Sequence, residues 1–600
     1  MTRTALAALA CAVAVAMLTT ADLHAQAPEP IRYTLRFPDA RTHYVDIEAA
    51  YPTGGQPTIE LYMAVWTPGS YLVREYQRHI EGVTASVDGK PVPIVKSTKN
   101  RWRVTTGGAR TVTVRYRVYS REMTVRNNWV ERDFAMLNGA PTFLTLVESR
   151  PRAHEVSVDL PMGWTGTATA LTPIAGAPHA YVAEDFDTLV DSPIVAGRPV
   201  TREFQVDGKR HVLVLEGDPS QFDIDRAVAD VKKIVEAGRA AMGSLPYPHY
   251  YFLNMVVDTG GGLEHKNSFL TMSGRFTTRS PRAYQNWLSL VAHEYFHNWN
   301  VKRLRPVELG PFDYERENFV KTLWVAEGFT DYYADLLVRR AGLSNDADYL
   351  SALSGQIEAV HSTPGRLMTP VDMASYDTWI KQYRPDENTA NTTINYYPKG
   401  AVVAFLLDAR IRATSNGVRT LDDGMRLAMQ RYSGAKGYTA EQFYATMSEV
   451  AGTDLRPFFA QAVESADELD YAQALDYLGL RFAPAGAEAL RASLGVTTRN
   501  DAGRLVITGV RRATAAFEAG LNVDDEILAV DGVRVRPDGL SARLELFKAG
   551  DRITMLVARR DRLMEMLVTL GPDAGRPWRL EVRPDATSDQ RARLTGWLSQ

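Results

Sequence analysis

The sequence has a single cysteine, Cys11, in 600 residues. It lies in an apolar N-terminal run, so the rest of the chain has no thiol and can form no disulfide. A cysteine nucleophile and a cysteine-ligated metal are excluded, and stability in an oxidising compartment must come from packing. Strong charge of either sign is also lacking. The net charge is −3, with no basic stripe to neutralise phosphates and no polybasic patch for an anionic membrane. Nucleic-acid partners are therefore not expected. The apolar run at residues 5–18 is too short for a comfortable membrane span. Arg3 precedes it and Ala25-Gln-Ala27 follows, so residues 1–27 read as a secretory signal peptide. An exported chain of this kind is expected in a bacterial periplasm, with no membrane span after signal cleavage.

Histidine is scarce, 11 in all, yet His293, Glu294 and His297 form an H-E-x-x-H pattern. Residues four apart on a helix differ by about 40° of rotation and about 6 Å of rise. Both imidazoles therefore leave one face, close enough to share a metal. Glu294, about 100° round from His293, stands beside the metal as a general base for an attacking water. Leu288, Val291, Ala292 and Phe296 supply the apolar surroundings of a buried site. Catalytic zinc usually has a third protein ligand. Glu327 is the candidate, on a second predicted helix between the bulky residues Trp324 and Phe329. A His-His-Glu set favours Zn2+, one per chain.

At this length two to four domains are expected. Residues 28–200 show short alternating runs broken by Gly, Pro, Asn and Asp, as in Val112 to Val118. They predict an all-β domain with one buried face and a structural, rim-forming role. In residues 201–480 the pattern turns mixed. Helical spacing runs from Asp223 to Gly243, Tyr250 to Val257 reads as a strand, and Ser268 to Met272 reads as the returning strand. Between them lies a glycine run ending in Glu264, where backbone can approach a ligand closely. Lys302, Arg303 and Arg305 read as a solvated or salt-bridged turn with no catalytic role. Helices follow at 349–361, 399–412 and 421–431.

H-E-x-x-H followed by W-x-x-E-G is the signature of gluzincins. W-T-P-G-S-Y at Trp66 to Tyr71, G-G-L-E-H at Gly261 to His265, H-N-W-N-V-K-R-L-R-P at His297 to Pro306 and Y-Y-P-K-G at Tyr396 to Gly400 extend the match. With these motifs the chain resembles the glycyl aminopeptidase family of gluzincin zinc metallopeptidases. The resemblance implies a thermolysin-like α+β catalytic domain with a mainly helical lower half, and removal of N-terminal Gly or Ala from peptides. In the related aminopeptidase N group the Glu of the corresponding glycine motif holds the substrate's α-amine. That role falls on Glu264, with Gly261 and Gly262 against the substrate and His265 in place of the usual Asn. The Y-x-K-G match implies Tyr397 as oxyanion donor, with Tyr396 as fallback and His361 as a rival.

Residues 481–575 resemble a PDZ domain, through Ala519-Gly-Leu521 and the D-E-I-L-x-V-D-G stretch from Asp525. The resemblance implies a carboxylate-binding loop at Leu494, Gly495 and Val496 that takes a C-terminal peptide. Residues 576–600 form a tail with a short helix. Two other functions stay open: an envelope zinc endopeptidase that recruits substrate through the PDZ domain, and a non-catalytic PDZ binding protein on a peptidase fold. An amine anchor separates the first from an aminopeptidase, because an internal peptide nitrogen carries no charge for Glu264 to hold.

Overall fold

The computed structural model describes residues 28–148, 151–484, 491–572 and 578–599; the expected signal peptide lies outside them. Among the described residues no helix is long and apolar enough to cross a membrane. The N-terminal region is all β, with one eight-stranded sheet and two four-stranded sheets. Strand Thr111–Tyr119 shows why. Val112, Val114, Tyr116 and Val118 are buried while the residues between them face outward. The strand pairs along its length with Tyr44–Pro52, which alternates in the same way. One of the smaller sheets, containing Ala135–Leu137 and Ile194–Gly197, packs onto the next domain through Phe134, Met136 and Val195 against Leu253, Met255 and Leu270.

That next domain opens with a five-stranded sheet. Lys209–Gly217 and His249–Val256 run parallel and are joined by helix Ile224–Met242, which Asp223 caps at one end and Gly243 closes at the other. Ser268–Ser273 does not return antiparallel; it runs parallel to His249–Val256. The glycine run forms a separate strand, Gly261–Glu264, antiparallel to Ser268–Ser273 and at the edge of the sheet. The tight turn between those two strands, where the His265 N–H donates to the Ser268 carbonyl at 2.9 Å, sets this topology. Helices Asp346–His361, Tyr396–Thr414 and Leu421–Tyr432 make the lower half. The first starts earlier than its apolar pattern suggests because Asn345 and Asp348 form a capping box.

Beyond Leu480–Phe482 the chain builds the PDZ-like unit around its own core of Leu494, Ile507, Ile527 and Met555. It returns at Leu580–Val582, antiparallel to Leu480–Phe482, so the unit is an excursion from the helical body. Asn391 ties it down: its amide donates to the Val510 carbonyl and accepts from the Arg512 N–H, each at 2.8 Å. The last helix, Ser588–Ser599, belongs to the main hydrophobic core. Trp597 is 1% exposed, packs on Tyr349 and Phe405, and donates from Nε1 to the Tyr332 hydroxyl at 2.8 Å. Tyr332 lies on the helix that follows Glu327. Trp597→Ala is expected to cost about 3–5 kcal/mol of stability, read as a lowered unfolding midpoint of the helical body in denaturant.

Candidate active site

Helix Pro281–Phe296 carries His293 and Glu294, and His297 is its C-cap. Glu327 comes from Trp324–Phe329, a π-helical turn that runs on into helix Thr330–Arg340. A π-turn shifts the side chains that follow it relative to a regular helix, which is why such turns gather at functional sites. This turn is held by backbone contact. A Cβ on Gly328 would fall 2.4 Å from Cα of Gly400, and one on Gly400 would fall 2.4 Å from the Trp324 carbonyl. The glycines of W-x-x-E-G and Y-x-K-G are therefore one feature: two helices in backbone contact directly beneath the third candidate ligand.

The ligand atoms of His293, His297 and Glu327 lie within 4.8 Å of one another. Nδ1 of His297 meets the Asn300 carbonyl at 2.7 Å, and Nδ1 of His293 meets Oδ1 of Asp331 at 2.8 Å. Both partners accept, so both Nδ1 atoms donate and both Nε2 atoms keep their lone pairs. Those Nε2 atoms are 3.0 Å apart, and Oε2 of Glu327 is 3.7 Å from one and 3.2 Å from the other. Lone pairs and a carboxylate turned on one another in a buried pocket are costly unless a cation sits among them, and the donor set suits a divalent transition metal. Asp331 escaped the sequence reading, although it sits four residues after Glu327, on the same helical face. Asp331→Ala is expected to weaken metal binding about 10–100-fold, measured by chelator competition.

Glu294 and Glu264 form a second cluster. Their carboxylate oxygens lie within 4.8 Å of each other and of His297. Both side chains are buried, and Oε2 of Glu294 and Oε1 of Glu264 have no hydrogen-bond partner. Burial raises the Glu294 carboxyl to about 7. Glycines make the room. A Cβ on Gly262 would fall 1.9 Å from Oε1 of Glu294, and one on Gly69 would fall 2.4 Å from Oε2 of Glu264. Gly69 adopts φ +84° and comes from the N-terminal domain, so that domain does more than form a rim.

The two candidate tyrosines separate. Tyr396 is fully buried and its hydroxyl meets that of Thr378 at 2.9 Å. Tyr397 faces the cleft beside His293, with ring centroids 6.2 Å apart. Burial keeps its phenol well above its usual range, hence a neutral donor. His361 lies elsewhere, stacked on Trp578 at 3.5 Å and bonded to Tyr471. His265 turns away toward Asp191 of the N-terminal domain: Nδ1 is 3.1 Å from Oδ1, which also pairs with Lys302 at 2.7 Å. Burial alone would raise Asp191, but Lys302 and His265 bring it down to about 2. The Lys302 side chain is thus 7% exposed and paired, and Arg303 is buried, donating to the carbonyls of Lys266 and Asn298. The basic run clamps the glycine hairpin to the end of the metal helix.

Two cavities flank the cluster. One of about 450 Å³, between the domains, has Glu264, Gly69 and Tyr71 in its wall. The other, about 380 Å³, is lined by Gly262, His293, Glu294, Tyr397 and Arg126. On the PDZ-like unit a groove of about 380 Å³ runs past Leu494, Gly495 and Val496 to Leu540 and Leu544. Gly495 has φ +77°, and Val496 opens an edge strand.

Comparison with known proteins agrees with this layout. Residues 32–198 match the peptidase M61 N-terminal domain, residues 286–403 match the M61 glycyl aminopeptidase domain, and residues 492–570 match the PDZ domain. An aminopeptidase N of Caulobacter vibrioides is 28% identical over 288 residues, which is 47% of this chain but only 29% of that relative. The crystal structure of an aminopeptidase N family protein from Idiomarina loihiensis superposes with a TM-score of 0.88 at 28% identity, over 95% of this chain and all of the other. Two M61 peptidase domain models and a PDZ model thus match this chain in that order, on the fold of a solved aminopeptidase N family protein.

Proposed function

We propose that this chain is a zinc aminopeptidase that removes the first residue of peptides with a free N-terminus. The observation that carries this reading is Glu264: a buried carboxylate with an unpartnered oxygen, beside the metal-ligand cluster and at the edge of the sheet. A substrate ammonium gives that oxygen its missing partner and brings only the first peptide bond to the reacting groups. His293, His297 and Glu327 would hold the zinc, which when bound polarises the scissile carbonyl and acidifies a water. Glu294 takes the proton from the attacking water and delivers it to the leaving amine. Tyr397 donates to the oxygen on which negative charge develops. Gly261 and Gly262 present an unpaired strand edge along which an extended peptide can lie. A preference for small first residues has its support in the family match.

The PDZ groove at Leu494, Gly495 and Val496 takes a C-terminal peptide in this scheme, by strand addition to Val496–Asp501. Export to the periplasm rests on residues 1–27. An endopeptidase would use the same metal groups but has no need of a carboxylate at Glu264. A purely binding protein has no need of His293, Glu294, His297 and Glu327 together. The test is a panel of short peptides, free and N-acetylated, with metal content measured before and after chelation. One zinc per chain, loss of cleavage on chelation with recovery on zinc addition, and cleavage of free peptides far faster than of acetylated ones are expected. Internal cuts in acetylated peptides would sink the aminopeptidase reading.

A further inference from the structure

The walls of the second cavity hold a cation that the proposed chemistry does not use. Arg126 comes from the N-terminal domain, between strands Thr111–Tyr119 and Trp129–Val130. It shares that cavity with His293, Glu294 and Tyr397. Among the described residues its side chain makes no ion pair, and its Nε is shut off from solvent without a hydrogen-bond partner. Arg74 lies within electrostatic reach of it. That side chain bonds to the Ser70 hydroxyl at 2.8 Å, makes no ion pair among the described residues, and also has an unpartnered buried Nε. Glu122, within electrostatic reach of Arg74, is engaged by Arg78 and by the Asn127 amide, and of the acids in the cavity wall Asp331 pairs with His293 and Asp335 accepts from Ser289. A guanidinium at this wall with an unpartnered buried Nε, and with a second guanidinium within electrostatic reach, is unfavourable until an anion arrives.

Glu264 lines the other cavity, and His293 and Glu294 line this one. A peptide anchored by its amine on one side and cleaved at its first bond sends its remaining residues toward the other. At about 3.3–3.6 Å per extended residue, only a short peptide brings its C-terminal group to a wall of the same site. We infer that Arg126, backed by Arg74, is a subsite for a substrate carboxylate downstream of the cleaved bond, which directs the enzyme to short peptides of two or three residues. The carboxylate comes from the peptide's C-terminus or from an acidic side chain near it. This inference rests on the aminopeptidase reading.

The test compares di- and tripeptides that share a free N-terminus and differ in the other end: free acid, amide, and amide with Asp as last residue. The free acid is expected to be cut with about 10–100-fold higher kcat/KM than the plain amide, from one charge-assisted contact, mostly through KM. Arg126→Gln is expected to bring that ratio close to one. Binding of the same peptides to a Glu294→Gln enzyme, followed by calorimetry, should show the same preference without turnover. A gain by the Asp-containing amide would assign the carboxylate to a side chain. Equal cleavage of acid and amide by the unaltered enzyme, with the free amine still required, overturns the inference alone. Equal cleavage of acetylated and free peptides overturns the aminopeptidase reading and this inference with it.

Discussion

Glu294→Gln lowers kcat by about 10²–10⁴-fold, the range for loss of a positioned general base, while the protein still takes up one zinc. The substitution keeps the size of the side chain and removes its ability to accept a proton. Size matters here, because the Gly262 backbone is so close that even a Cβ there would fall 1.9 Å from Oε1. A smaller residue would leave a gap, whereas Gln fills the same space. The metal ligands do not depend on Glu294. Their orientation comes from Asp331 and the Asn300 carbonyl, so metal content should hold. The checks are metal analysis and single-turnover cleavage of a free tripeptide on the same preparation. Activity within a few-fold of the unaltered enzyme would remove Glu294 from the proton-transfer step.

What could be read from the sequence follows from how far each contact reaches. H-E-x-x-H is legible because a helix turns spacing into direction: four residues put His293 and His297 on one face whatever surrounds them. Glu327 was legible from its setting between Trp324 and Phe329, but its π-turn was not. That turn depends on Gly400, far along the chain, coming into backbone contact with Gly328. The helices at 349–361, 399–412 and 421–431 were found with ragged starts, since capping groups such as Asn345 and Asn395 lie outside the apolar pattern. The link from Asp191 to His265 and Lys302 crosses two domains. No local spacing announces it, so His265 had no visible role. Arg126 is hidden for the same reason, being one arginine among many in a β domain until folding sets it in the cleft. The last helix reads from the sequence as a short tail helix whose partner is not given by its pattern. Trp597 and Leu598 are buried because they close the core beneath the helix that follows Glu327.

Glu264→Gln is the sharper test, because it separates an enzyme that measures from the chain end from one that cuts anywhere. Breaking a buried charge pair costs about 3–5 kcal/mol, so kcat/KM for peptides with a free N-terminus is expected to fall at least about 10²-fold. Gln preserves the contact beneath Gly69, where an added Cβ would be 2.4 Å from Oε2, so the loss reports charge rather than packing. The diagnostic quantity is a coupling. Free and N-acetylated forms of one peptide are assayed on both enzymes, and the four kcat/KM values form a double-mutant cycle. If Glu264 pairs with the α-ammonium, the substitution erases most of the advantage of the free form and hardly alters the slow cleavage of the acetylated one. A Glu264 that merely lined the cleft would depress both forms alike, leaving the ratio between them where it was. The edge strand Gly261–Glu264 would then guide an extended chain without fixing its end, and the endopeptidase reading would take precedence.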